Sequence, residues 1–306
     1  MISKNYFYQF FGLSFESEIE LPELTPVLKR ECEADVKILF GITDDELVSP
    51  LIKAQELQIT PGNVLICFEK LVRFQIIDGN KILIQRYVEV TDWQIRFLLL
   101  GSPFGILFLQ RGKLPLHSSS LAVEGASILF AGRSGTGKSS TVNAFQKRGY
   151  EIFTDELTLI ELGTDKTPIA FSGYPTMKLW EETLFYHGMN PAGFHRQHPD
   201  KNKYIVPIPH GLSGKAFPVK KIYILEFSEE SPFQIVQVKA VEKFRIIRKH
   251  TFRKGFIRPL GVQHLFYEIA SRLAETIPIT RILRTKNIEQ MNHQIDLIEE
   301  DLKKQV

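Results

Sequence analysis

Residues 117–145 read HSSSLAVEGASILFAGRSGTGKSSTVNAF. Ala126–Ala131 is an apolar run of strand length, Lys138–Lys147 carries a helical pattern, and Gly149 follows as a natural helix terminator. Between them, Gly132-Arg133-Ser134-Gly135-Thr136-Gly137-Lys138-Ser139 fits G-x-x-x-x-G-K-[ST] at every fixed position. Glycines let such a loop curl until successive N–H groups point at phosphate oxygens, and the following helix adds its positive end. Lys138 would reach the β- and γ-phosphates, and the Ser139 hydroxyl would ligand Mg²⁺. With Ser140 in the first helical turn, Gly132 to Ser140 form the expected site for ATP and its Mg²⁺.

What happens to a γ-phosphate depends on nearby acids. Asp155-Glu156 ends the stretch IFTDE, 16 residues beyond Ser139, one helix and one turn away. Carboxylates there could share the metal, Asp155 with Ser139, and orient or deprotonate an attacking hydroxyl. The bland alternative is a polar strand end at the surface. His117, just before the loop strand, is a candidate neighbour of the same phosphates. Lys178, Lys201, Lys203 and Lys215 could bind an anion, and Arg245, Arg248 and Arg253 could stabilise transition-state charge; taken singly, each reads better as a solvated surface group. Trp180 reads as core.

Outward from the loop the chain is ordinary: 306 residues, 43% hydrophobic and 24% charged, without a low-complexity tract. Its 23 phenylalanines favour a packed, sheet-rich core. Cys32 and Cys67 have no metal spacing and read as free thiols in a reducing compartment. The start lacks the pattern of a signal peptide, and the longest apolar stretch, Phe97–Leu109, is too short to span a bilayer and is interrupted by Gly101, Ser102 and Pro103. It reads as a buried helix, in a cytoplasmic protein with no membrane partner. Charge is uneven: 11 acids against 4 bases from Ser14 to Glu56, and 8 bases against one acid from Lys239 to Arg258. Such asymmetry marks a partner surface, a self-complementary one, or two solvated faces. No nucleic-acid motif accompanies it.

Short strands are expected at Tyr6–Leu13, Val36–Phe40, Val64–Phe68, Val72–Ile77 and Ile82–Gln85, with a hairpin turn at Asp78-Gly79-Asn80. A helix should start near Thr91 or Asp92 and carry Ile95, Leu98 and Leu99 on one face. This gives a β-rich N-terminal module over 1–112 and a domain over 113–306 that opens strand–loop–helix–strand, with Ile152–Leu162 as that next strand. Two amphipathic helices, His264–Ile277 (burying Leu265, Ile269 and Leu273) and Asn287–Lys303 (with Ile288, Met291, Ile295, Ile298 and Leu302), should close it.

His117, the strand Ala126–Ala131, the loop Gly132–Ser139 and the pair Asp155-Glu156, in that order and span, resemble the HPr kinase/phosphorylase family. Over nearly the whole chain, FGLSFESEIELPEL (11–24), GILFLQRGKLPLHSSSLAV (105–123), GYPTMKLW (173–180) and IPITRILR (277–284) resemble its members found beside peptide-modification gene clusters, some of which phosphorylate a serine of a lasso-peptide precursor. The resemblance implies an α/β fold: the P-loop type of HPr kinase and phosphoenolpyruvate carboxykinase, not the commoner parallel-sheet NTPase. It implies an ATP- and Mg²⁺-dependent serine kinase acting on a peptide or small protein, with the basic 239–258 segment helping to hold an acidic or phosphorylated partner, and possible association into a homo-oligomer. The implied catalytic set is Lys138, Asp155, Glu156 and His117. The family pair is usually two aspartates, so Glu156 departs from it by one methylene and Asp155 is expected to take more of the work. No counterpart of the segment coupling kinase to phosphorylase activity is visible, so the reverse reaction and HPr as substrate are not implied. The alternative is a nucleotide-dependent accessory protein of a peptide-maturation system without kinase activity. A carboxykinase-like reaction would need further metal-binding residues that the sequence does not offer.

Overall fold

The structure is a computed structural model that describes residues 5–28, 33–68, 71–87, 89–198, 200–208, 212, 214–228, 233–285 and 290–304. It is a mixed α/β protein with three sheets. The first sheet takes β1 (Tyr6–Phe10), β2 (Leu13–Ser17), β3 (Val36–Phe40), β4 (Ile52–Ala54), β5 (Leu57–Thr60), β6 (Asn63–Phe68), β7 (Val72–Ile77) and β8 (Lys81–Arg86), in the order β1-β2-β3-β8-β7-β6-β5-β4. The run expected as one strand, Tyr6–Leu13, is a hairpin instead. It reverses at Phe11 and Gly12, both at positive φ (52° and 71°), a conformation that nothing about a phenylalanine announces. Alternation then does the packing: Tyr8, Phe10, Leu13 and Phe15 are buried, and the Phe10 and Phe15 rings stack 4.1 Å apart. The turn between β7 and β8 falls at Asp78-Gly79, as expected, with both residues at positive φ.

The single buried helix expected over Phe97–Leu109 is two helices. The first, α1 (Asp92–Leu99), starts with a capping box between Thr91 and Gln94. Gly101 then caps α2 (Ser102–Gln110), with Pro103 in its first turn where a missing N–H costs nothing. Every residue of α2 from Ser102 to Leu109 is buried, as an all-apolar helix between layers must be. A side chain at Gly105 would meet the Phe252 ring at 2.5 Å, so that close approach requires glycine.

The second sheet contains β9 (Leu114–Leu116), β10 (Ser118–Val123), β11 (Ala126–Gly132), β12 (Glu151–Thr154), β13 (Thr158–Leu162), β14 (Pro168–Phe171), β18 (Ala216–Phe227), β19 (Gln234–Gln237) and β20 (Ile279–Arg284). The third is β15 (Thr176–Trp180), β17 (Lys201–Pro207) and β16 (His195–His198). Around them lie α3 (Lys138–Lys147), α4 (Glu181–Tyr186), α5 (Ala240–His250), α6 (Gln263–Thr276) and α7 (Met291–Lys303). Strand β11 runs parallel to β18 and antiparallel to β10, so the sheet is mixed. β11 is buried on both faces, and alternate residues feed two cores. Leu129 and Ala131 join the cluster that includes Phe10, Phe74 and Phe104; Ile128 and Phe130 join one with Val142 and Phe145 of α3 and Ile295 and Ile298 of α7. The first cluster runs through residues on both sides of Gly112.

Two further expectations change. Ile152–Leu162 is not one strand: it breaks at Asp155-Glu156, with β12 pairing β10 and β13 pairing β9 and β14. Helix α6 rotates its stripe to bury Phe266, Ile269, Ala270 and Leu273, leaving Leu265 half-buried. Helix α7 buries Met291, Ile295, Ile298 and Leu302, whereas Ile288 and the expected start at Asn287 lie outside the described residues. Cys67 is a free thiol, and Cys32 also lies outside them. Among the described residues no helix is long and apolar enough to cross a membrane.

Candidate active site

Strand β11 ends on Gly132 and α3 begins at Lys138, so the glycine loop joins the central strand of the sheet to a helix N-terminus. Gly135 and Gly137 take φ of 85° and 84°, the left-handed region that favours glycine. A side chain at Gly137 would strike the Arg284 guanidinium at 2.4 Å. Arg284, at the end of β20, is 3% exposed; it donates to the Thr136 carbonyl and, at 3.1 Å, to Thr141 Oγ1. Burial pulls its pKa down to about 10. The residue braces the loop from beneath, a role that sequence reading missed although IPITRILR was in view. Nothing in the sequence marked Arg284 as facing inward.

Lys138 is 6% exposed, and its Nζ donates to the carbonyls of Gly132 and Arg133, each at 3.1 Å. Burial pulls its pKa down to about 8, with Asp155 opposing that shift and Lys203 adding to it. Asp155, 2% exposed, accepts from Ser119 Oγ at 2.5 Å and Ser139 Oγ at 2.9 Å on Oδ1, and from the Lys178 N–H at 2.9 Å on Oδ2. These donors come from β10, α3 and β15, so the carboxylate ties three elements to the turn after β12. Glu156 follows with φ 69°, a strained conformation for a side chain of that size. Its Oε2 pairs with Lys178 Nζ, while Oε1 receives no hydrogen bond among the described residues. Burial pushes the Glu156 pKa up, but Lys178, then Lys203 and His117, outweigh that and hold it below the usual value.

His117 Nδ1 lies 3.0 Å from the Glu156 carbonyl, and its backbone N–H donates to the His250 carbonyl at 2.9 Å. A carbonyl only accepts, so the proton sits on Nδ1. Burial and the Lys138 charge lower its pKa, which keeps the ring neutral at pH 7.

These groups converge. His117, Ser134, Gly135, Gly137 and Lys138, with Ser139, Ser140, Asp155 and Glu156, line one small cavity of about 60 Å³. Gly132 and Arg133 line an adjoining hollow of about 620 Å³ with His250 and Lys254. Thr136 lines neither; its hydroxyl donates to the Arg133 carbonyl at 2.8 Å. The Ser140 hydroxyl is engaged by Thr183 Oγ1 at 2.9 Å.

Several surface readings are corrected. Lys178 and Lys203 both line the small cavity, and Arg253 lines the hollow. Trp180, expected in the core, is 42% exposed and faces the loop. Lys201 and Lys215 stay exposed, and Arg245 and Arg248 line neither cavity. Ser119 escaped notice within HSSS. The strand alternation and the antiparallel pairing with β12 are what turn it toward Asp155.

The donor set suits a divalent cation that shares phosphate oxygens. Ser139 Oγ and the Asp155 carboxylate are hard oxygens side by side, and Mg²⁺ characteristically takes only one or two protein ligands beside phosphates and water. Among the described residues no group of three or more His, Cys, Asp or Glu could cage a metal alone.

No family model matches the chain, and no curated protein matches it. Among solved structures, it is similar to the Hpr(Ser) kinase/phosphatase from Coxiella burnetii, at 13% identity over 63% of this chain and 99% of that one. The TM-score of 0.31 is too low to carry an argument, so the functional reading rests on the site.

Proposed function

We propose that the protein is an ATP-dependent kinase that transfers the γ-phosphoryl group to a hydroxyl, most simply a serine of a peptide or small protein. One observation carries this reading: a neutralising lysine, a triply hydrogen-bonded carboxylate beside a serine hydroxyl, and a second carboxylate with an open oxygen all face one cavity at the foot of a glycine loop. The loop N–H groups and Lys138 would balance phosphate charge. Ser139 and Asp155 would hold Mg²⁺, which supplies further charge neutralisation at the phosphates when bound.

The two acids divide the work differently from the expectation. Asp155 already accepts three hydrogen bonds and is poorly disposed to take a proton. Glu156 has the open oxygen, so it is the base: it takes the acceptor's proton as the acceptor oxygen forms a bond to Pγ. The bond from Pγ to the β-phosphate oxygen breaks, and ADP leaves. The lowered Glu156 pKa keeps it ionised at neutral pH and also makes it a weak base. That weakness, with the Lys178 pairing, is the observation that favours the second reading, a nucleotide-dependent accessory protein without transfer.

Incubation with γ-labelled ATP and Mg²⁺, alone and with serine peptides, separates them. The kinase reading expects label on a peptide serine, lost in Lys138→Ala and Asp155→Asn. Tight ATP binding without transfer to any hydroxyl would favour the accessory protein.

A further inference from the structure

Beside the small cavity lies a second one of about 300 Å³, and Glu156 and Lys178 line both. Aromatic and aliphatic side chains predominate in the second cavity: Trp93, Phe97 and Leu98 of α1 line it with Tyr174, Leu157 and Phe252, and Glu23, Gln197 and Arg253 add polar groups. Helix α1 buries Ile95 and Leu99 in the core and leaves Trp93, Phe97 and Leu98 half-exposed along this wall, where Trp93 and Phe97 stack 5.7 Å apart. Apolar side chains stay wet at a cost, so a concave apolar wall ending on a carboxylate is what an amphipathic ligand needs.

Resting on the kinase reading above, we propose that this cavity is the acceptor pocket, and that it takes a large apolar side chain flanking the hydroxyl to be phosphorylated. The occupant is a serine-containing peptide segment with a leucine-like or aromatic neighbour. Three observations choose it. The volume suits a side chain and a short stretch of backbone rather than a folded domain. More of the lining residues are aromatic or aliphatic than polar, Trp93, Phe97, Leu98, Leu157 and Phe252 among them. Glu156 and Lys178 form the boundary shared with the phosphate cavity, so a side chain anchored in the larger cavity brings its adjacent hydroxyl to the open Oε1. The N-terminal module thereby acquires a part in substrate choice, because α1 belongs to it.

The chain's two tryptophans make the test clean: Trp93 lines the acceptor pocket and Trp180 the phosphate cavity. In Trp180→Phe, emission from Trp93 is titrated with N-acetyl-Ser-Leu-amide and with N-acetyl-Ser-Gly-amide. The leucine peptide should shift it saturably, with an affinity 10- to 100-fold above the glycine peptide, on the order expected for burying a leucine side chain. Phosphoryl transfer to the leucine peptide should show a correspondingly lower KM, with kcat changed much less. An equal or absent Trp93 response to the two peptides would overturn the proposal. In Trp93→Phe, ATP should perturb Trp180. Silence there would sink the nucleotide reading, while the Trp93 titration would still decide the pocket.

Discussion

The two cavities that meet at Glu156 differ in what lines them: polar and charged groups on one side, mostly aromatic and aliphatic ones on the other. On the phosphate side every working group is charged or polar and held by others: Arg284 under the loop, Lys138 on its carbonyls, Asp155 among three donors. On the other side α1 offers carbon, fixed by its buried face. The first side acts by preorganised electrostatics, costly to assemble and sensitive to single atoms. The second acts by desolvation and shape, which degrade gradually. Perturbations should therefore differ in kind as well as in size.

The largest effect is expected at Asp155. Asp155→Asn keeps the shape, and the amide oxygen can still accept the Lys178 N–H while the serine hydroxyls rotate to suit its NH₂ group. On the kinase reading the metal would lose its anionic ligand, so transfer should fall about 10³-fold while the fold persists, checked by label transfer beside thermal melting.

Next comes pH. Lys138 has its pKa lowered to about 8, so in the free protein it loses its proton above that value, whereas bound phosphates favour the charged form. ATP binding should take up a proton above pH 8 and weaken by up to about tenfold per pH unit. Dissociation constants measured from pH 7 to 9.5 would show the slope, and Lys138→Arg should flatten most of it, since a guanidinium stays charged.

On the apolar side, Phe97→Ala should raise KM for an apolar acceptor about tenfold and leave ATP affinity unchanged. A change in ATP affinity of the same size would erase the distinction between the cavities.

The last effect concerns stability and not transfer. His250 is 6% exposed, and burial, with Lys249, Lys138, His117 and Lys254 around it, pulls its pKa down to about 4. It stays neutral in the folded chain but protonates in the unfolded chain below about pH 6.5, so stability is lost as pH falls from there toward 4. The loss is on the order of 3 kcal/mol, and melting curves of His250→Phe should lack that part of the slope.

How much of this the sequence announced follows the same divide. Where spacing and local chemistry agree, the reading was close: Lys138–Lys147 is the helix, Val36–Phe40 and Val72–Ile77 are strands, and His117, Ser139, Asp155 and Glu156 share a cavity. Where a residue takes an unadvertised backbone conformation, it failed. Phe11 and Glu156 both have positive φ, and both break what reads as a continuous strand. Partners brought in from distant strands were also hidden: Ser119, Lys178 and Arg284 become site residues only through pairing across the sheets. The break at Gly101 was hidden too, and Gly101 lines the larger cavity beside Phe97 and Leu98 of α1.

On the kinase reading Glu156 is the base and Asp155 the anchor. The most direct test is single-turnover transfer from γ-labelled ATP and Mg²⁺ to a serine peptide by the unmodified protein and by Glu156→Gln, with ATP affinity measured in parallel. Glu156→Gln should bind ATP within a few-fold of the unmodified protein and transfer on the order of 10²-fold or more slowly. Transfer by Glu156→Gln at the unmodified rate would contradict it.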